Sequence, residues 1–212
     1  MKVLKNIYND YIAFPKYVIF HPFDGFEDLK RNKKGKLSVA LVFIFLFIIF
    51  RIMKFSYESP IINDVNPLDL NSIKEILTVV MIVGLFSVAN WSVTTIMSGK
   101  GNYKEILTVT GYSLFPIVII GIPAVLISNL LTIEEMAIYQ LIIGMAYVAT
   151  GWTLFMGVLN IHEYGLFKTI GSLFLTILAM AVMIFFALLF FSLIQEIFYF
   201  IKVLWQEINL RL

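Results

Sequence analysis

The chain has 212 residues, of which 60% are hydrophobic and 14% charged, with a formal net charge of +2. A water-soluble domain is nearer half apolar and a quarter charged, so this balance, with a mean hydropathy of +0.90, excludes both a soluble globule and a disordered chain. The absence of Cys excludes a disulfide framework, a thiolate metal site, a cysteine nucleophile and an iron–sulfur cluster, and two His leave little for a His-rich metal site. The fold class that remains is all-α: a polytopic membrane helix bundle with five transmembrane helices.

Residues 1–36 precede the first span and interleave aromatics with charges. Tyr8, Tyr11, Phe14, Tyr17, Phe20, Phe23 and Phe26 recur every three residues, a drifting apolar stripe on a helix, and Pro15 and Pro22 are expected to break it into short pieces. The segment reads as an interfacial element on the inner leaflet, its rings at headgroup depth and its basic cluster of Lys30, Arg31, Lys33, Lys34 and Lys36 facing anionic lipid. A plain positive-inside anchor is the alternative.

A helix needs roughly 20 mainly apolar residues to cross the hydrocarbon core. Five stretches qualify: about Leu37–Met53, Ile76–Met97, Ile106–Leu131, Met136–Asn160 and Thr169–Ile194, which together form a membrane domain over 37–194. The third and fourth exceed a straight crossing and are expected to tilt or kink. Pro116 and Pro123, with Gly111 and Gly121, place the kink in the third. The loop at about Lys54–Lys74, with Pro60 and Pro67 among acids, is too short for a domain of its own. The tail, 195–212, sets Phe198, Ile201, Trp205, Ile208 and Leu212 on one face and either continues the fifth helix or bends into the interface.

Alternating the spans puts eleven Lys/Arg on the side of the N-terminus and five on the other. The N-terminus is therefore expected in the cytoplasm and the C-terminus outside. The first span, behind a basic segment and without a small-residue cleavage site, is expected to serve as the targeting signal.

Chemistry is sparse. There is no GxxxxGK[ST] loop and no GxSxG elbow, and Ser98-Gly99-Lys100-Gly101 reads as a tight turn. His162 beside Glu163, with His21 and Asp24 on the same side, is the one set that suits acid–base or metal chemistry. A lone loop His is ordinarily solvated, so no catalytic residue, metal or cofactor is expected and the chain reads as a non-enzyme. The spans are almost without ionisable groups. Asn90, beside Trp91, is the most suggestive uncharged pair: an amide at membrane depth needs a partner, either as glue between helices or as a substrate contact. Thr94, Thr95, Tyr112, Gln140 and Thr150 extend that polar set. Ala137, Gly144, Ala146, Ala149 and Gly151 in the fourth span allow close helix approach. No internal repeat is evident, so an inverted-repeat transporter has no support.

Four motifs in order resemble the Yip family of membrane proteins: His21-Pro22-Phe23-Asp24-Gly25-Phe26 ahead of the first span; Asn90-Trp91 followed by Gly99-Lys100-Gly101 and Tyr103-Lys104-Glu105-Ile106; Gly111-Tyr112 through Pro116; and His162-Glu163-Tyr164 before Phe167-Lys168-Thr169. The short N-terminal segment resembles the bacterial branch. The resemblance implies a multi-pass protein of the bacterial plasma membrane with five spans, and it makes Asn90, Trp91, Gly111, Tyr112, Pro116, His162 and Glu163 the positions of interest. Eukaryotic relatives are Golgi and endoplasmic-reticulum proteins that associate with Rab GTPases, a role that does not transfer to bacteria. Bacterial members look like accessory proteins near sugar-type ABC transport systems, an association and not a mechanism. The expected function is thus a non-enzymatic scaffold or accessory subunit. Its partners would be the bilayer, anionic inner-leaflet lipid and a membrane protein such as an ABC transport system, with no nucleic acid. The alternative is a small-solute permease component using the polar residues of spans two to four.

Overall fold

The computed structural model describes residues 7–60, 62 and 70–211, the side chains of 210 and 211 excepted. Lys2 and Lys5 of the basic count, Asp64, Pro67 and Asp69 of the loop, and Leu212 of the tail face lie outside the described residues. The elements are a π-helical turn Asn9–Ala13, α1 Phe14–Phe20, α2 Pro22–Arg31, α3 Leu37–Tyr57, α4 Ser72–Ile96, α5 Tyr103–Ser113, α6 Phe115–Ser128, a 3₁₀ turn Ile133–Glu135, α7 Met136–His162 and α8 Leu166–Arg211. Five helical stretches are long and apolar enough to cross a membrane: α3, α4, α5 with α6, the 3₁₀ turn with α7, and α8. Among the described residues there is no strand.

Local chemistry sets the helix ends. Asn71 caps α4 by accepting from the Lys74 N–H at 3.1 Å. Asn102 and Glu105 form a capping box on α5, so the third span starts at Tyr103 rather than Ile106. Thr132 and Glu135 do the same for the turn before α7. The third span breaks at Leu114, between α5 and α6, with Pro116 in the first turn of the new helix, where its missing N–H costs nothing. Pro123 sits inside α6.

The N-terminal segment packs in part against the bundle. Pro15 lies in the first turn of α1 and does not break it; the chain is helical from the π turn onward until His21, and Pro22 opens α2. Val18, Phe26 and Leu29 are buried against Val39, Ala40, Phe43 and Ile161, with Tyr11 and Phe14 packed on the same cluster. Tyr8, Tyr17, Phe20 and Phe23 point outward. The three-residue aromatic period drifts around the helix, so only part of it meets the bundle. A second core, at the opposite (distal) end, holds Phe50, Ile117, Val125, Tyr139 and Ile143. Here Glu58 accepts from the Tyr139 hydroxyl at 2.5 Å and the Tyr57 carbonyl accepts from Asn129.

The tail continues the fifth span. α8 is one helix of 46 residues. It packs along α4 through Thr169, Ser172 and Thr176, which are buried, while most of its remaining surface is exposed.

Candidate functional site

At the N-terminal end of the bundle three helices stop in the same manner. Lys33 after α2, Ser98 after α4 and Glu163 after α7 adopt φ of 51°, 58° and 54°, the left-handed region that glycine normally fills. After α7 the Tyr164 N–H bonds the Leu159 carbonyl at 3.0 Å, and after α4 the Gly99 N–H bonds the Thr94 carbonyl at 2.7 Å, the wrap that ends a helix without loose carbonyls. Non-glycine residues held this way cost of order 1 kcal/mol each and persist where neighbours hold them.

What holds the ends of α4 and α7 is a polar node around His162, which is buried at the last turn of α7. Its Nδ1 accepts from the Gly101 N–H at 3.2 Å. That leaves the proton on Nε2, which faces the Asn90 Oδ1 at 3.2 Å and donates to it. The Asn90 amide in turn donates to Thr176 Oγ1 at 3.1 Å, and Thr176 donates to the Ser172 carbonyl. One chain of hydrogen bonds thereby ties α4, α7, α8 and the loop between α4 and α5. The Tyr164 ring stacks on His162, its hydroxyl lies 3.3 Å from the carbonyls of Thr94 and Met97, and Lys168 Nζ sits 4.3 Å above its face. Loss of solvent raises the Tyr164 hydroxyl pKa.

Close approach accounts for the two loop glycines. A Cβ on Gly99 would lie 2.6 Å from His162 Nδ1 and 2.6 Å from the Tyr164 hydroxyl, and one on Gly101 would meet His162 as well. The turn residue with positive φ is Ser98, not a glycine.

Glu163 faces out of the node and bridges two cations. Its Oε2 takes Lys100 Nζ at 2.5 Å and its Oε1 takes Lys30 Nζ at 3.1 Å. These two hold its carboxyl down at about 2. Lys30 also donates to the Ile161 carbonyl at 2.7 Å and its side chain is only 16% exposed. The basic cluster is largely ion-paired, yet Arg31, Lys34 and Lys36 keep more than half of their side-chain surface exposed. Lys30 turns inward onto α7, Arg31 pairs with Glu27, Lys34 with Asp28 and Lys36 with Asp10; Lys33 has no ion pair among the described residues. Two of these pairs are sequence-local, Glu27 and Asp28 lying within one or two turns of Arg31 and Lys34, whereas Lys30 and Lys36 reach partners brought close by the fold. Lys34 and Asn32 hold the Asp28 carboxyl below its usual range. Between α2 and the end of α7 a cavity of about 380 Å³ remains, walled by Phe23, Glu27, Lys30, Arg31, Asn160 and Glu163.

The other positions named from sequence divide. Gly111 abuts the α3 backbone: a Cβ there would lie 2.6 Å from Ala40 Cβ and from the Ala40 carbonyl oxygen. Tyr112 is buried between the rings of Phe14 and Phe43 and accepts from the Lys36 N–H at 3.3 Å. Pro116 is buried at the start of α6. Of these three Tyr112 joins the N-terminal segment to the bundle, and none forms part of the His162 node. Trp91 is 46% exposed and meets only the edge of Tyr103 among ring contacts. Thr95 and Gln140 point outward. Thr150 bonds its own helix at Ala146. The polar set of spans two to four is thus not gathered around one path. His21 stacks on Tyr17, and among the described residues no group of three His, Asp or Glu can hold a metal ion. Sequence reasoning missed Thr169, Ser172 and Thr176; their hydroxyls at i, i+3 and i+7 in an otherwise apolar helix are the signal that marks the stripe.

Comparison with curated proteins and with solved structures finds no match. A family profile, that of the Yip1 domain, matches residues 16–195, from α1 into α8.

Proposed function

The chain belongs to the Yip1 domain family, an integral multi-pass membrane protein of apolar helices, and from that premise we propose that it is a non-enzymatic scaffold or accessory subunit whose N-terminal end docks a membrane partner. The observation that carries this reading is the charged cavity between α2 and α7. Its Glu27, Lys30, Arg31 and Glu163 are pre-positioned by ion pairs, and its rim carries the outward Phe23. Phe and Arg are among the residues enriched at protein–protein interfaces. The Lys/Arg excess at this end favours a cytoplasmic position for it in a plasma membrane, beside anionic lipid. The permease alternative gains no observation, since Asn90 and Thr94 are spent on internal hydrogen bonds.

The test is a photoreactive amino acid placed at Phe23 of the full-length protein in its native membrane, with Ile177 on the exposed face of α8 as the control position. A discrete cross-linked membrane protein from position 23, lost in Arg31→Glu and not seen from 177, is the expected result. Identical adducts from both positions, or none from 23, would overturn the scaffold reading.

A further inference from the structure

The bundle holds a second cavity, of about 320 Å³, that the polar node does not touch. All five spans wall it: Phe47 of α3, Val79 and Val83 of α4, Leu114 at the break between α5 and α6, Leu154 of α7 and Met180 of α8. The hydroxyls in the wall, Thr78 and Thr110, already donate to the Lys74 and Ile106 carbonyls at 2.8 and 2.9 Å. A water inside would find few of the two to four polar partners it needs. An empty apolar void of this size forfeits dispersion contacts on every wall. In a bilayer the apolar filler at hand is an acyl chain.

The mouth carries the ion pair of Arg51 and Glu75. Arg51 directs Nε and Nη2 at one oxygen of Glu75, at 3.1 and 3.0 Å. Its Nη1 has no partner among the described residues, and the side chain is 39% exposed. A guanidinium whose Nη1 meets no partner among the described residues, at the end of an apolar slot, can receive a phosphate diester with an attached chain. Across Thr78 and Ile82, which the two spaces share, an open groove of about 570 Å³ runs past Lys74, Met81 and Ile184. It supplies a second cation near the mouth and a second apolar track.

We propose that the central cavity is a phospholipid site: one acyl chain enters between the five spans, the phosphate is received by Arg51, and the second chain follows the groove over Met81 and Ile184. The occupant is a diacyl phospholipid of the surrounding bilayer. This site is independent of the docking cavity at the N-terminal end, and the two can fail separately.

The experiment uses the full-length protein in vesicles of phosphatidylcholine and phosphatidylglycerol, the latter carrying a diazirine midway along one acyl chain, with adducts mapped by peptide mass spectrometry after illumination. Expected adducts fall on Val83, Phe86 and Met180 as well as on outward residues such as Phe190. Val83→Trp, which fills the cavity, should abolish the interior adducts and leave Phe190 labelled, the latter reporting that the variant is still inserted. Leu154→Phe, a milder filling, should reduce them. Arg51→Gln should reduce them roughly tenfold or more, the loss of a charge-assisted hydrogen bond. Wild-type labelling confined to outward residues would overturn the site, as would interior adducts undiminished in both filled variants. Equal interior labelling by a diazirine fatty acid, unaffected by Arg51→Gln, would overturn the assignment of the phosphate to Arg51.

Discussion

At the scale of single residues, Asn90 and His162 show how an uncharged amide becomes the centre of a membrane protein's polar chemistry. Each satisfies the other, and removing one leaves a buried donor or acceptor without a partner. In membranes such pairs contribute about 0.6–2 kcal/mol. A double-mutant cycle of Asn90→Ala and His162→Ala, read by unfolding in mixed micelles, should therefore return a coupling of about 0.5–2 kcal/mol; additive losses would mean that the two do not act as one unit. Glu163 titrates differently. Its carboxyl is held at about 2, mainly by Lys100 and then by Lys30, below the usual value of roughly 4.3. A group whose pKa is lowered on folding stabilises the fold above its unfolded pKa and loses that contribution as pH falls through the folded one. The midpoint of thermal unfolding should thus fall on acidification between about pH 4.3 and 2, and the wild-type lead over Glu163→Gln should vanish across that window. A lead that stays constant down to pH 2 would separate Glu163 from the docking of Lys30 and Lys100.

At the scale of elements, helix contacts rest on where small residues fall. Gly111 and Gly144 look alike in sequence, each a glycine in an apolar span. Gly111 lies against the α3 backbone, whereas nothing comes within 4 Å of a Cβ built on Gly144. Gly111→Ala should cost about 1–3 kcal/mol through overpacking against a main chain that cannot yield. Gly144→Ala should be neutral or slightly stabilising, since alanine is the better helix former by about 1 kcal/mol. Equal stability of the two variants would contradict the packing of α3 on α5. The tail belongs to this scale too. Composition left it undecided between interface and continuation. The absence of Pro throughout α8, and of Gly after Gly171, explains why nothing interrupts a helix of 46 residues. At 1.5 Å per residue it is about 69 Å long, more than twice the roughly 30 Å of the hydrocarbon core.

At the scale of the whole molecule, alternation of five spans gathers the node, the paired lysines and the charged cavity at one end, and the Tyr139–Glu58 contact and the Arg51 mouth toward the other. The chain has no Cys, so single cysteines report its orientation cleanly. If the basic end faces the cytoplasm, Ser98→Cys should be shielded from an impermeant maleimide in intact cells and Leu130→Cys should react; the reverse pattern would invert the orientation. Five apolar stretches, the break near Pro116 and the family all follow from sequence, because hydropathy and proline are local properties that a window of residues contains. The partners of the polar groups do not. His162 meets Asn90 across 72 positions and Lys30 meets the Ile161 carbonyl across 131, and neither spacing leaves a periodic trace. Only the packing of the bundle decided that Lys30 and Lys36 meet Glu163 and Asp10, that Asn90 bonds a histidine, and that the five apolar spans leave a cavity between them. The physical reason is that burial and pairing depend on which faces meet, and a uniformly apolar helix does not announce its inner face.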